Sequence, residues 1–314
     1  MNKTPIALIA LACAVSALGC ESGAEEADVA VNDTTAAGSA DSGPVTVADA
    51  GLQTPESVLH DADLDMYLVS NINGAPLDKD GNGFISLVAP DGRIADLKWI
   101  DGAEEGVRLS APKGMAISGD RLYVTDIDTV RVFDRNTGAP VAAYGIEGAT
   151  FLNDLHAGND GSIYVTDTGM RAGAGGFEPS GSAAVYHMTP AGQVQTIIAG
   201  DSLAAPNGLT IRGNRLVYAT FGADRVWALD EQGNRSPVAT LPSGSLDGLV
   251  TLPDGQLLVS SWQGEAVYRV GMDGTATPVA ENIPSPADIA YDAQRNRLLI
   301  PVFNENRLEF RPLQ

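Results

Sequence analysis

Pro206-Asn207-Gly208-Leu209 is the stretch on which the fold turns, because its frame recurs along the whole chain. A short turn ending in Pro or Leu is followed by a polar residue, then by a small or apolar step and an apolar run. The frame returns at Thr54-Pro55-Glu56-Ser57, Ala111-Pro112-Lys113-Gly114 and Phe151-Leu152-Asn153-Asp154. It returns again at Ser245-Leu246-Asp247-Gly248 and Ser285-Pro286-Ala287-Asp288. The equivalent positions are Glu56, Lys113, Asn153, Asn207, Asp247 and Ala287, spaced 57, 40, 54, 40 and 40 residues apart. A period near forty with four short strands per unit is the mark of a β-propeller, so an all-β fold of six blades is predicted. The start of each innermost strand faces the channel, which turns six scattered residues into a ring around one axis.

Around each frame the strand signal repeats. In the second unit Lys113–Ser118 reads as the inner strand and Arg121-Leu122-Tyr123-Val124-Thr125-Asp126 as the next. Val130-Arg131-Val132-Phe133 and Val141-Ala142-Ala143-Tyr144 follow as the third and outer strands. Apolar alternation between Gly, Asp and Asn turns is the strand pattern, and no long stretch has helical periodicity. The sixth unit runs out of chain after its third strand, while Pro44-Val45-Thr46-Val47-Ala48-Asp49 precedes the first unit unused. Pairing the two supplies the missing outer strand and removes an exposed sheet edge. The expected fold is therefore a six-bladed β-propeller over residues 44–314 whose N-terminal strand closes the last blade.

Two units are longer than forty residues, and both excesses fall between second and third strands, at 71–82 and 168–182. Loops there lie on the face where the inner strands begin, so both are expected to overhang the polar ring, and such loops commonly carry function. Asp78-Lys79-Asp80-Gly81-Asn82-Gly83-Phe84-Ile85-Ser86 resembles the first nine positions of an EF-hand loop. Its twelfth position is Ala89 where a bidentate Glu is needed, so a hairpin loop capping its own backbone explains it equally well.

The chain opens differently. Lys3 precedes an uncharged run from Pro5 to Gly19, too short to span a bilayer comfortably, which reads as a signal peptide over residues 1–20. Ala17-Leu18-Gly19-Cys20 resembles a bacterial lipobox with Cys20 as the lipidated residue; Ala10-Leu11-Ala12-Cys13 is a rival site. Residues 21–43 are Ala, Gly, Ser, Thr, Glu and Asp with little to bury, the composition of a disordered acidic tether. The expectation is a lipid-anchored monomer facing the periplasm of a bacterial cell envelope. The two cysteines, Cys13 and Cys20, both lie in this segment, so the domain offers no thiol nucleophile and no Cys-based metal site. A net charge of −21 argues against a nucleic-acid partner, which needs a basic face.

The ring carries the chemistry. Glu56 and Asp247 supply carboxylate oxygens, and Asn153 and Asn207 supply amide oxygens. That set suits Ca²⁺, or with waters Mg²⁺ or Mn²⁺, and it does not suit zinc. A hydrogen-bonded plug of the channel explains the same residues on composition alone. Lys113, at a fifth ring position, has three readings. It balances the carboxylates of Asp154 and Asp288, it binds substrate, or it pairs with Glu56 or Asp247 and makes a metal unnecessary. His60 and His156 lie on inner strands as alternative bases or as packed core histidines. No Ser-His-Asp order or nucleophile-elbow sequence is present.

The frame around these residues resembles the SMP-30/gluconolactonase/LRE-like family of six-bladed propellers. Asn207-Gly208 is similar to that family's Asn-Gly ligand motif, Asp247-Gly248 to its Asp-Gly motif, Asn153-Asp154 to its Asn-Asp pair, and Glu56 to its first-blade glutamate. The resemblance implies one divalent cation in the channel, held by Glu56, Asn153, Asn207 and Asp247. It also implies hydrolysis of a lactone or small ester, with Asp247 as ligand and catalytic base. Substrate contacts are expected at Lys113, Asp154 and Asp288. Glu56 is followed by Ser57-Val58 instead of the family's Gly-Pro, and Phe151-Leu152 stands where an arginine precedes its Asn-Asp pair. Both departures weigh against sugar-lactone specificity. The competing function class is a non-enzymatic propeller acting as a lipid-anchored ligand-binding or scaffold module.

Overall fold

A computed structural model describes residues 43–230 and 232–314. The signal peptide, the lipidation sites Cys13 and Cys20, and all but the last residue of the tether lie outside the described residues.

Six four-stranded antiparallel sheets form the blades. The inner strands of the first five are Pro55–Asp61, Pro112–Ser118, Leu152–Ala157, Pro206–Arg212 and Leu246–Thr251. Their second strands are Met66–Asn71, Arg121–Asp126, Ile163–Asp167, Arg215–Thr220 and Leu257–Ser261. In the sixth blade Ala290–Asp292, Arg297–Val302 and Arg307–Pro312 run outwards, and Val45–Val47 pairs antiparallel with Arg307–Pro312 as the fourth strand. The register sets Val45 opposite Phe310 and Val47 opposite Leu308. The closure expected from counting strands is present.

Each blade is apolar on both faces, so it must bury both against neighbours. One hydrophobic cluster accordingly fills each interface between consecutive blades. At the closing interface Val47, Leu308 and Phe310 of the last blade meet Val58, Tyr67 and Val69 of the first. There Tyr67 packs edge-on to Phe310 with ring centroids 4.9 Å apart, and its hydroxyl donates to Asp292 at 2.6 Å. Near the axis Ser57 bridges to Asp288 of the sixth blade, and its hydroxyl donates to that carboxylate at 2.5 Å.

Both long inserts fall where the repeat spacing put them. The one in the third blade contains a hairpin that local pattern did not reveal, Met170–Gly173 against Gly176–Pro179. In the first insert Asp80 accepts from the side-chain amide of Asn82, whose carbonyl accepts from Asn73, while Lys79 pairs with Asp128. These contacts make the EF-hand-like stretch a self-capped loop.

Candidate active site

The ring is built by a backbone irregularity that recurs in every blade. In the first five, the inner strand slips by one residue against the second strand at the frame. In the third blade, for example, Leu152 faces Asp167 but Leu155 faces Val165. The sixth makes the same slip, since Pro286 bridges Val302 while Ala290 faces Leu299. Such a bulge puts two residues opposite one and re-aims a side chain. It falls on Glu56, Lys113, Asn153, Asn207, Asp247 and Ala287, all of them buried.

A bulge leaves a backbone amide without its ladder partner, and a hydroxyl on the second strand takes it. Ser70 accepts from Ser57 N at 2.9 Å, Thr166 from Asp154 N at 3.0 Å and Ser260 from Gly248 N at 2.8 Å. The Thr166 and Ser260 hydroxyls also donate, at 2.8 Å, to the carbonyls of Asn207 and Ala287 in the following blade. In the third and fifth blades the hydroxyl thereby fixes the next blade's ring position. These hydroxyls went unread in the sequence, although Ser70-Asn71, Thr125-Asp126, Thr166-Asp167 and Ser260-Ser261 recur at the same place.

Glu56, Lys113, Asn153, Asn207 and Asp247 form the floor of one cavity of about 310 Å³. Four buried oxygens at this floor have no hydrogen-bond partner: Glu56 Oε2, Asn153 Oδ1, Asn207 Oδ1 and Asp247 Oδ1. They come one from each expected ligand. Asn153 donates through Nδ2 to Thr168 Oγ1 at 3.0 Å, which leaves its oxygen facing the cavity. Buried acceptors are rarely left unmatched, and four unmatched hard oxygens of this mixture fit a Ca²⁺-class ion. Among the described residues no three of His, Cys, Asp and Glu form a metal-binding group; the floor offers two carboxylates and two amides instead.

Electrostatics point the same way. Burial, with repulsion from Asp247 and Asp288, holds Glu56 well above the usual carboxylate range. Burial and Asp288 do the same to Asp247, against the nearby N–H groups of Trp262 and Asn207, and burial with Asp288 does so to Asp154. Burial raises Asp288 to about 7. A cation in the channel removes this mutual repulsion and returns the carboxyl groups towards their charged forms.

Lys113 is sunk by burial to about 8, with Glu56 and Asp126 acting against the fall. It forms no ion pair with Glu56 or Asp247 among the described residues. Its ammonium instead donates to Ala111 O and to Pro76 O, each at 3.0 Å, and lies 4.7 Å from the centroid of Phe151. The reading in which an ion pair replaces the metal thus has no contact to support it.

Asp154 and Asp288 do not line the cavity. Asp154 accepts from the amides of Leu155 at 2.6 Å and Leu209 at 2.5 Å, and Asp288 accepts from Ser57. The expected substrate contacts are here ties between inner strands. Neither His60 nor His156 reaches the cavity: His60 packs edge-on to Tyr67, and His156 pairs with Tyr164 further down its strand.

A second ring stands above the first. The residue following each second strand is Ile72, Ile127, Thr168, Phe221, Trp262 or Phe303, and all but Ile127 line the cavity. The backbone amides of these five bond to the turns that open the inner strands, as in Phe221 N to Ala205 O at 2.8 Å and Trp262 N to Ser245 O at 3.0 Å. Ala205 and Ser245 in those turns hold φ of 56° and 53°. The long inserts complete the wall with Pro76 from the first and Met170 and Phe177 from the third.

With this geometry in view, the chain can be set beside known proteins. Residues 73–300 match the model of the SMP-30/Gluconolactonase/LRE-like region. The chain belongs to that family. Among solved structures it is similar to XC5397, a gluconolactonase from Xanthomonas campestris, at 21% identity and TM-score 0.67 over 86% of this chain and 89% of that one. It is also similar to a luciferin-regenerating enzyme, at 17% and 0.63 over 85% and 95%. A streptogramin B lyase shares the fold at 13% and 0.59 over 85% and 96%. At these identities the likeness concerns the fold. No curated protein matches the chain.

Proposed function

We propose that this family member is a metal-dependent hydrolase of a lactone or small ester, with one divalent cation of the Ca²⁺ class held by Glu56, Asn153, Asn207 and Asp247. The observation that carries the proposal is the set of four unpartnered buried oxygens, one from each of these residues. When bound, such a cation supplies positive charge against the negative charge that develops on an ester carbonyl oxygen.

The chain's own groups divide the remaining work. Asp247, kept in its charged form once a cation offsets the repulsion of its neighbours, accepts the proton of the attacking water. Lys113 has two of its three N–H donors on backbone carbonyls, which leaves one for the substrate. The apolar wall keeps bulk water from the reacting centre. The names of the similar gluconolactonases agree with a lactone as substrate. The segment ending at Cys20 supports a further part of the proposal, a domain tethered by lipid to the membrane of a bacterial envelope.

The test is a pH-stat screen of aldonolactones, acyl-homoserine lactones and aryl esters with Ca²⁺, Mg²⁺ or Mn²⁺. Turnover is expected, and Asp247→Asn and Asn207→Ala are each expected to lower it by about two orders of magnitude or more in a folded protein. Absence of any turnover that depends on both metal and Asp247 would instead favour the ligand-binding module, to which the same cavity is suited.

A further inference from the structure

Above its polar floor the cavity wall is almost devoid of groups that hydrogen-bond. Ile72, Phe151, Phe177, Phe221, Trp262 and Phe303 form most of it. The rings make a connected set: Phe221 lies 5.6 Å from Trp262, Trp262 5.1 Å from Phe303, and Phe151 5.8 Å from Phe177, centroid to centroid. Thr168, the one hydroxyl in the wall, already accepts from Asn153 and donates to Pro206 O at 3.0 Å. The donors left at the floor include the third N–H of Lys113 and the indole N–H of Trp262, which is buried without a hydrogen bond.

We infer that the substrate is a lactone or ester with a flat aromatic or short apolar body and no hydroxyl groups, its carbonyl the one strongly polar feature. This deepens the hydrolase reading and rests on it. A polyhydroxylated lactone would press its hydroxyls against rings that offer no partner, and unpaired buried hydroxyls are strongly penalised. Aromatic walls favour a flat ring, through edge and face contacts. The size agrees. An apolar cavity of about 150 Å³ holds benzene, and about 310 Å³ takes a ring fused to a lactone. Both donors suit a carbonyl or ring oxygen at the floor. The reaction is balanced without a co-reactant. The oxygen of water bonds to the carbonyl carbon, the acyl C–O bond breaks, and the ring oxygen takes the proton to give the open-chain hydroxy acid.

The experiment compares dihydrocoumarin with glucono-δ-lactone on the full chain with Ca²⁺, and adds binding of 3,4-dihydroquinolin-2-one, the lactam that is not readily hydrolysed, followed by tryptophan fluorescence. A kcat/KM for dihydrocoumarin at least ~100-fold above that for the sugar lactone is expected, at about tenfold or more per unpaired hydroxyl. Phe221→Ser and the hairpin variant Phe177→Ser should each raise KM for dihydrocoumarin about tenfold and leave the sugar lactone unaffected. Faster turnover of glucono-δ-lactone overturns the inference and leaves the hydrolase reading intact. With no turnover of either compound or of the wider lactone and ester panel the hydrolase reading fails, and the lactam decides the rest. A fluorescence change that disappears in Trp262→Phe keeps the apolar ligand class, and no binding ends it.

Discussion

Lys113 donates to the carbonyl of Pro76 at 3.0 Å, so a floor residue of the second blade pins the long loop of the first. The same ammonium places positive charge beside Glu56, where a cation is proposed to bind. One residue therefore couples the order of the cavity wall to the charge of its floor.

Lys113→Met separates those two effects. Loss of the positive charge should tighten Ca²⁺ binding by about tenfold, measured by calorimetry. Loss of the donor should accelerate hydrogen exchange at the amides of residues 73–82. A retained rate with tighter metal marks the lysine as a charge balancer, and a lost rate marks it as a substrate contact.

The floor oxygens predict a stability linked to metal. At a Ca²⁺ concentration of 100 Kd the gain is about 2.7 kcal/mol, which for a domain of this size raises Tm by about 5–10 °C over EDTA. Asp247→Ala should erase that difference. Identical wild-type melting curves with Ca²⁺ and with EDTA would remove the case for the ion.

Closure of the ring should depend on three residues. A chain starting at Gly43 keeps Val45–Val47 and should melt like the full chain, whereas one starting at Gly51 exposes the edge of Arg307–Pro312 and should aggregate on warming. Val47→Asp places a charge in the closing cluster, at a cost of about 2–4 kcal/mol in a denaturant titration. Equal stability of the two truncated chains would mean that the pairing contributes nothing.

His156 predicts an acid-side loss of stability. Burial depresses its pKa from the ordinary 6.5 to about 4, so between these values the unfolded chain binds a proton that the folded chain does not. Its contribution is complete above pH 6.5 and is lost as the pH falls towards 4. His156→Gln should flatten the decline in that window by about 1–3 kcal/mol and change little at pH 8. A pH–stability curve that runs parallel to the wild type would refute this.

Much of this architecture is legible in local pattern. Each blade is a local supersecondary unit, so the spacing of Glu56, Lys113, Asn153, Asn207, Asp247 and Ala287 reports the period directly, and repetition makes short motifs informative. The missing outer strand and the position of both inserts follow by counting from that period. The type of each floor residue is also a local fact, which is why two carboxylates and two amides already raise a hard cation beside a hydrogen-bonded plug.

Whatever depends on neighbouring blades was settled only by the tertiary structure. The sequence marks Asn153 and Asn207 but not the hydroxyls of Thr168 and Thr166 that hold them, because those contacts span strands and blades. Asp154 and Asp288 look like candidate substrate ligands in the chain, yet amides of Leu155 and Leu209 and the hydroxyl of Ser57 claim them once the strands are assembled. Phe221, Trp262 and Phe303 sit at one recurring place in the repeat, and their meaning emerges when the ring brings them around one mouth. The sequence by itself determined the blades and the chemistry of the floor, since local periodicity and residue type encode both. Only the tertiary structure decided which groups remain free and how apolar the wall is, because desolvation and hydrogen-bond pairing depend on residues far apart in the chain.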